Sequence, residues 1–136
     1  MHLPVRDAFN WLGVLRNAGG IAVPESGKYY LVVFKSQLKP DTDPALVAAL
    51  DEAAHTEAKR SEALMYYFAG VPHERCALSW CLWTDMRDAR KALAGPAHRN
   101  AASQAADLYE SFSIELYDVF ETGGQVVFEP VSKSRA

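Results

Sequence analysis

Residues 64–83, LMYYFAGVPHERCALSWCLW, consist of two short apolar segments joined by a turn. The segments 64–69 and 76–83 are rich in aromatic residues, a composition typical of β-strands. The residues between them, GVPHER, contain the glycine and proline that mark turns, and so short a connection favours antiparallel neighbours. This stretch therefore predicts a pair of adjacent antiparallel strands in the middle of the chain.

A strand and a helix precede this pair. Residues 29–37, YYLVVFKSQ, are β-branched and aromatic, which again predicts a strand. Asp43 is placed to cap the following helix, with Pro44 as its first residue and an end near residue 60. The apolar face that this helix is expected to bury consists of Leu46, Val47, Leu50, Ala53 and Ala54.

A second helical region and a last strand follow the pair. Thr84 and Asp85 open the helical region, and Gly95 and Pro96 interrupt it, because proline lacks an amide proton and its ring clashes with the preceding turn. Residues 111–121, SFSIELYDVFE, alternate between apolar and polar and predict a strand. The order predicts an α+β, ferredoxin-like split βαβ fold (β-α-β-β-α-β), an antiparallel four-stranded sheet with both helices on one face.

Two further segments flank this core. Apolar residues at three- to four-residue spacing predict an amphipathic helix within residues 1–20, ended by a pair of glycines. Residues 122–136 are expected to form a C-terminal extension with an extended segment, GQVVFEP. The length of 136 residues fits a single domain, 1–136, with the ferredoxin-like core at 29–121.

The composition disfavours several classes of function. The chain is 49% hydrophobic, and 14 Lys and Arg against 17 Asp and Glu give a net charge of −3 without a basic stripe. We therefore expect neither an unfolded chain nor a nucleic-acid partner. No stretch approaches the roughly 18 apolar residues of a membrane span, and the N-terminal segment does not resemble a signal peptide. Cys76 and Cys81 point to opposite faces of one strand and cannot form a disulfide, so we expect a cytoplasmic protein.

The face of the sheet opposite the helices is expected to determine the function. The first two strands are apolar on both faces, which is unusual if water wets one of them. We therefore expect a second copy of the chain to cover this open face, in a homodimer that encloses a small-molecule cavity. Trp80 is assigned to the helix side. The residues assigned to the open face are Ser79, Cys81, Trp83, Ser113, Glu115 and Tyr117.

The second half of the chain carries a recognisable pattern. A tryptophan ends the third strand, and a Gly-Pro-x-His turn, a Tyr-Glu pair and an Ile-Glu pair follow. With this pattern and element order, the chain resembles the dimeric α+β barrel (ferredoxin-like) superfamily, including antibiotic-biosynthesis-type monooxygenases, and most resembles a group of uncharacterised small proteins. The residues of the pattern are Trp83, Gly95, Pro96, His98, Tyr109, Glu110, Ile114 and Glu115.

The resemblance implies a homodimer with a pocket between helices and sheet. It does not specify a reaction, because this superfamily hosts many chemistries and some proteins that are not enzymes. Haem-degrading members carry an asparagine in the first strand, whereas YYLVVFKSQ offers only Ser36 and Gln37 at its end. This departure disfavours haem degradation.

Two residues are candidates for acid–base catalysis. His98 lies near a helix N-terminus, where exposed amides disfavour the imidazolium, so a neutral His98 is a suitable general base. Glu115 lies among apolar strand residues, which raise a carboxylate's pKa. The alternatives are a capping or surface role for His98 and, for Glu115, an ion pair with an arginine across the dimer interface.

The aromatic residues Trp83, Tyr66, Tyr67 and Tyr117 are candidates to form a wall around a planar substrate, with Ser79, Cys81 and Ser113 as smaller contacts; the alternative is a plain hydrophobic core. Because phosphate-loop, zinc and nucleophile-elbow motifs are missing, we expect no metal or nucleotide cofactor. The sequence favours an enzyme that performs cofactor-independent oxygenation or proton transfer on a small organic substrate. A non-catalytic ligand-binding protein is one alternative, and a haem protein with His98 as axial ligand is another.

Overall fold

A computed structural model describes residues 9–19, 27–70 and 73–131 of the chain, with the side chains of α1 described as far as Leu15. No helix in these ranges is long and apolar enough to cross a membrane. The elements in chain order are helix α1 (Trp11–Gly19), strand β1 (Tyr29–Leu38), helix α2 (Pro44–Ala58), strands β2 (Leu64–Ala69) and β3 (Cys76–Trp83), helices α3 (Met86–Leu93) and α4 (Pro96–Leu108), and strands β4 (Tyr109–Thr122) and β5 (Gln125–Pro130).

All neighbouring strands are antiparallel, and the sheet order is β2-β3-β1-β4-β5. The first four strands have the order of the predicted ferredoxin-like core, which is confirmed. The predicted count of four strands is wrong by one, because the C-terminal extension forms β5 and pairs with the end of β4. Gly123 and Gly124, with φ of 57° and 77°, make the left-handed two-residue turn that a tight hairpin requires.

The helix boundaries follow the local signals in the sequence. The Asp43 carboxylate accepts a hydrogen bond from the Ala45 amide at 2.9 Å, and Pro44 is the first residue of α2, as predicted. The interrupted helical region is two helices, because α3 ends before Gly95 and Pro96 begins α4. The Asp43 cap and the break at Gly95 and Pro96 depend on neighbouring residues, so the sequence was sufficient to place these helix ends.

Both faces of the sheet carry an apolar cluster. On one face, which we call the helix side, Tyr30, Val32 and Trp83 pack with Ala58 of α2 and Ala89 of α3. On the opposite face, which we call the α1 side, α1 of the same chain covers the sheet. There Trp11 and Leu15 of α1 pack on the strand residues Leu31, Val33, Trp80, Leu82 and Val119.

The expectation that a second copy covers the open face is therefore wrong for its apolar part. That part is covered by α1, and Trp11 is only 3% exposed there. Beyond α1, the same face carries polar residues that tolerate water, Lys35, Gln37, Ser111 and Ser113, which surround a shallow depression. The apolar character of the face thus reflects an intramolecular contact.

The assignment of the two faces of β3 is also wrong. Trp80 lies on the α1 side, with its ring 4.7 Å from that of Trp11, whereas Trp83 lies on the helix side. The register agrees, since Trp80 is opposite Val33 and Trp83 is opposite Tyr30. The assignment rests on size: Ala77, Ser79, Cys81 and Trp83 form the set of smaller side chains in β3, which favours the open face. Because both faces are covered, side-chain size does not distinguish them.

Candidate functional site

A cavity of about 420 Å³ lies between the helix side of the sheet and the N-terminal half of α2, and we call it the α2 cavity. Its floor comes from four strands, and its roof comes from α2. The loop after β1 and the turn before β3 close its rim. The principal lining residues are Phe34, Ser36, Tyr67, Ala77, Ser79 and Tyr109 from the sheet, Pro44, Val47, Ala48 and Asp51 from α2, and Lys39 and Arg75 from the rim.

The cavity exists because α2 stands off the sheet. Of the apolar face predicted to be buried, Leu46 and Ala53 are exposed, and Val47, Leu50 and Ala54 are only half-buried, so that prediction is wrong. Ala58, at the far end of α2, is its buried residue. The helix packs mainly on α4, while three aromatic side chains of the sheet, Phe34, Tyr67 and Tyr109, lie under its first turns. A cavity remains under the first half of α2.

The start of α2 is tied to the rest of the molecule by the loop that precedes it. The Thr42 hydroxyl donates to the Leu108 carbonyl at 2.8 Å, and the Lys39 amide donates to the same carbonyl at 3.0 Å. These bonds join the end of β1 to the end of α4. They hold the mouth of the cavity in place without filling it.

Asp51 supplies a carboxylate to the cavity, beside two phenols. Desolvation by the neighbouring groups raises the pKa of Asp51, although the residue itself is exposed at the mouth of the cavity. Burial, and then the charge of Asp51, raise the pKa of Tyr67, and the same causes raise that of Tyr109 to about 12. The two phenols therefore remain protonated hydrogen-bond donors at neutral pH, and the Asp51 carboxyl is the acidic side chain beside them.

His55 supports this arrangement from the next turn of α2. Its imidazole stacks on the Tyr67 ring with a centroid separation of 3.7 Å and an angle of 17°. Burial, with a smaller contribution from the nearby Lys59, lowers the pKa of His55, which favours a neutral ring. The stack holds the Tyr67 ring under α2. The sequence analysis did not identify His55 in this role.

His98 lies in the first turn of α4, where it binds Glu57 of α2. The Glu57 carboxylate accepts hydrogen bonds from the amides of Ala97, at 2.9 Å, and His98, at 3.2 Å, and lies 3.0 Å from His98 Nδ1. A Cβ at Gly95 would collide with this carboxylate. The Gly-Pro-x-His pattern thus docks α4 onto α2: the Glu57 carboxylate caps the first turn of α4, and the His98 ring binds the same carboxylate.

The Glu57 cap predicts a specific pH dependence of stability. Hydrogen bonds from the Ala97 amide and then from the His98 ring lower the pKa of Glu57 from 4.5 to about 2. Because the folded-state pKa is depressed, its contribution is complete above pH 4.5 and is lost as pH falls towards 2. We expect the free energy of unfolding, measured in urea, to fall more steeply over this range in the wild type than in Glu57→Gln.

Glu52→Gln is the matched control for this experiment, because Glu52 is an exposed carboxylate on the same helix. It should keep the wild-type dependence on pH. Equal slopes for the wild type and Glu57→Gln would show that the cap contributes nothing to acid stability.

Glu115 lies on the α1 side of the sheet, in the middle of β4. Its carboxylate accepts a hydrogen bond from the Tyr117 hydroxyl at 2.9 Å and lies 3.1 Å from Lys35 Nζ. The ion pair is thus made with a lysine of the same chain, whereas the alternative that we considered was an arginine of a second subunit. The sheet lies between Glu115 and His98, so the structure does not bring these two together as an acid–base pair.

The predicted substrate-binding residues are divided by the sheet. Tyr67 and Ser79 line the α2 cavity, whereas Ser113 and Tyr117 lie on the α1 side. Cys81 and Trp83 lie on the helix side, and neither lines the cavity. The assignment of Ser79, Cys81 and Trp83 to the open face is therefore wrong, because both faces of β3 are covered and side-chain size does not distinguish them.

Cys81 and Trp83 form a buried pair below the helices. Trp83 is completely buried, and its Nε1 donates to Cys81 Sγ at 3.0 Å. Burial raises the pKa of the Cys81 thiol to about 11, and the hydrogen bond from Trp83 offsets this only in part. The thiol therefore stays protonated at neutral pH, and both residues have a packing role in this structure.

Sequence reasoning missed Asp51, Tyr109 as a lining residue, and Arg75. One signal could have identified Asp51: it falls on the stripe formed by Val47, Ala54 and Ala58, at helical spacing. A carboxylate on the apolar stripe of a helix is unusual, and here it lies over a cavity.

Comparison with known proteins identifies relatives in sequence and in fold. Residues 1–130 match a protein family described as PB2B2.08-like. The UPF0643 protein PB2B2.08 of Schizosaccharomyces pombe is 31% identical over 149 residues, which cover 96% of this chain and 66% of that protein. This chain thus spans slightly less than two thirds of the length of that relative.

Solved structures share the fold at low sequence identity. SnoaB from Streptomyces nogalater, described as a cofactor-independent oxygenase, superimposes with a TM-score of 0.59 at 16% identity, covering 72% of this chain and 99% of SnoaB. A dimeric ferredoxin-like protein of unknown function from Thermobifida fusca has a TM-score of 0.53 at 14% identity, covering 66% and 90% of the two chains. These likenesses establish the fold alone, and they confirm the resemblance that the sequence pattern indicated.

Proposed function

We propose that this chain, which belongs to the PB2B2.08-like family, is an enzyme that binds a small, partly aromatic organic molecule in the α2 cavity. One observation carries this proposal: a carboxylate with a raised pKa lines a mostly apolar cavity of about 420 Å³ together with two phenols. Cavities of this size and character are typical of small-molecule sites. Perturbed titratable groups that converge in such a cavity are typical of acid–base catalysis.

Asp51 is the general base in this proposal. It accepts a proton from an acidic C–H or O–H group of the substrate, and the electron pair of the broken bond remains on the substrate as an enolate or phenolate. The hydroxyls of Tyr67 and Tyr109 donate hydrogen bonds to the developing oxyanion, because their raised pKa values keep them protonated. His55 keeps the Tyr67 ring in place through the stack.

Two reactions can follow this first step. Return of the proton to a different substrate atom gives an isomerisation. In the second, the carbanion of an activated CH₂ group forms a C–O bond with dioxygen, the peroxide takes up the proton from Asp51, and loss of water leaves a carbonyl. That sequence needs dioxygen as its oxidant and no cofactor, and the fold shared with SnoaB, described as a cofactor-independent oxygenase, supports it. A haem reaction is not supported, since His98 does not line the cavity and its Nδ1 binds Glu57.

We also propose that the protein is a cytoplasmic homodimer. In the ranges that the structure describes, no strand pairs with the outer edge of β4 before Leu116. Phe112 and Ile114, in this part of β4, are 48% and 39% exposed. A second copy at this edge would pair the strand and cover both side chains. The dimeric ferredoxin-like neighbour from Thermobifida fusca supports a dimer, and the two free cysteines suit a reducing compartment.

Filling the α2 cavity tests the proposed function. Ala77 lies on the floor of the cavity, and we expect Ala77→Phe to occupy the space that a ligand would take. In a thermal-shift screen of bicyclic and tricyclic phenols and enolisable ketones, a true ligand at a hundred times its Kd adds about 2.7 kcal/mol to the stability of the wild type. Ala77→Phe should lose this stabilisation.

Ala102→Phe, on the exposed side of α4, is the matched control and should bind as the wild type does. Undiminished binding by Ala77→Phe would place the ligand elsewhere. Oxygen uptake and product formation then separate an enzyme from a binding protein, since a ligand that binds without turnover supports the non-catalytic alternative.

A further inference from the structure

Arg75 is held at the rim of the α2 cavity in an unusual backbone conformation. Glu74 and Arg75 have φ of 50° and 69°, so two successive residues with side chains occupy the left-handed region. They are the two central residues of a left-handed turn in which His73 and Cys76 exchange both backbone hydrogen bonds, at 2.9 and 2.8 Å, and this turn holds Arg75 at the rim. Arg75 is tied to the end of β1, because its carbonyl accepts from the Leu38 amide at 2.8 Å and its Nη1 donates to the Leu38 carbonyl at 2.7 Å.

The guanidinium retains donors for a ligand. Nη1 also lies 3.8 Å from Glu110 Oε2, beyond hydrogen-bond distance, and both side chains are about half exposed. In the ranges that the structure describes, both contacts therefore involve Nη1. An arginine has five N–H donors, so Nε and Nη2 can bind a planar anion in a fork.

The charges around the cavity are unevenly placed. Lys39, next to the end of β1, joins Arg75 at the rim, whereas Asp51 projects from the roof. Apolar and aromatic side chains, including Phe34 and Val47, form much of the wall between. A molecule that fits this arrangement is apolar in its body, negatively charged at the end near the rim, and acidic at the end near Asp51.

We propose that Arg75, with Lys39 beside it, binds a carboxylate group of the substrate, so that the substrate class is an aromatic carboxylic acid. This inference rests on the proposed function of the α2 cavity and adds a specificity-determining residue to it. The paired N–H groups of Arg75 bind the carboxylate oxygens, and the aromatic body lies over the floor of the cavity. The bound acid is thereby oriented with its other end towards Asp51.

The test compares 2-naphthoate with 2-naphthamide, which share size and shape and differ in charge. Isothermal titration calorimetry of the wild type should give a Kd at least about 10-fold lower for 2-naphthoate, and the preference should weaken as salt is added. Arg75→Asn should reduce the preference to about twofold or less, because it weakens the binding of 2-naphthoate far more than that of 2-naphthamide. Asparagine is chosen because it tolerates the left-handed backbone. Arg87→Asn, on the surface of α3, is the matched control and should keep the full preference.

The outcomes separate this inference from the proposed function. Equal binding of the two naphthalenes by the wild type would overturn the anion site and leave the cavity as a binding site. A preference that Arg75→Asn retains would overturn the role of Arg75. Failure of both compounds, and of every compound in the wider screen, would overturn the proposed function itself. If Arg75→Asn does not fold, the wild-type comparison still decides the anion preference, and a loss of preference in Lys39→Met would place the anion at the rim.

Discussion

Replacing Trp11 by alanine is expected to destabilise the protein by about 3–5 kcal/mol, the range for a buried tryptophan truncated to alanine. Trp11 is 3% exposed and anchors α1 to the sheet. Its ring lies 4.7 Å from that of Trp80, 5.5 Å from that of Phe128 and 5.4 Å from that of Phe9. Urea unfolding measures the loss, and the thermal midpoint should fall by roughly 10–20 °C.

Two controls define what this result means. Trp11→Phe keeps an aromatic ring and should lose less stability than Trp11→Ala, while Leu46→Ala changes a side chain that is 43% exposed and should have little effect. If Trp11→Ala were as stable as Leu46→Ala, α1 would not be the element that shields the sheet.

Sedimentation equilibrium of the same samples checks the proposed homodimer, which should survive in Trp11→Ala because the exposed edge of β4 does not depend on Trp11.

Replacing Asp51 by asparagine is expected to lower turnover by about 10²- to 10⁴-fold, the usual contribution of a general base. The amide has nearly the shape of the carboxylate but cannot accept the substrate proton. Binding of a ligand identified in the thermal-shift screen should therefore persist. Turnover is measured as oxygen uptake or as exchange of the substrate proton with solvent deuterium.

The pH dependence of the wild type provides a second measure of the same base. Only the ionised carboxylate accepts a proton, so activity rises as pH increases through the pKa of Asp51. Burial raises that pKa above 3.8, so the acid limb of the rate profile should lie above the range of an ordinary aspartate. The limb should be absent from the residual activity of Asp51→Asn.

Glu52→Gln is the matched control for Asp51→Asn, because it makes the same chemical change at the next position of α2, which is also exposed but does not line the cavity. It should leave turnover unchanged. Full activity in Asp51→Asn would remove Asp51 from the mechanism, and equal losses in both variants would indicate a general effect of charge on α2.

The elements of this fold could be predicted from the sequence because each depends on nearby residues. The Asp43–Pro44 cap and the break at Gly95–Pro96 place helix ends correctly. Alternation in β4 assigns Ile114 and Leu116 to one face of the sheet and Glu115 to the other. β5 was missed as a strand because a short extended segment forms a strand only when an edge is available to pair with it.

The residues of the candidate site were harder to predict from the sequence. Two of the predicted contacts, Tyr67 and Ser79, line the cavity, whereas the acid–base residues proposed from the sequence do not. Glu57 lies 41 residues before His98, and no local pattern indicates that they bind one another. The helix spacing that predicted a buried face for α2 does not reveal that large aromatic side chains lie beneath its first turns.

Periodicity and capping are properties of neighbouring residues, so the order of strands and helices in the ferredoxin-like core follows from the sequence. The sequence also separates each strand into two sets of side chains. The packing of distant elements fixes which set faces which layer, and it places Trp80 under α1 and Trp83 under the helices. Alternation divides the residues of a strand into two sets, but it does not say which set faces α1 and which faces the other helices. That choice, and the cavity that brings Asp51 to Tyr67 and Tyr109, depends on contacts between distant parts of the chain.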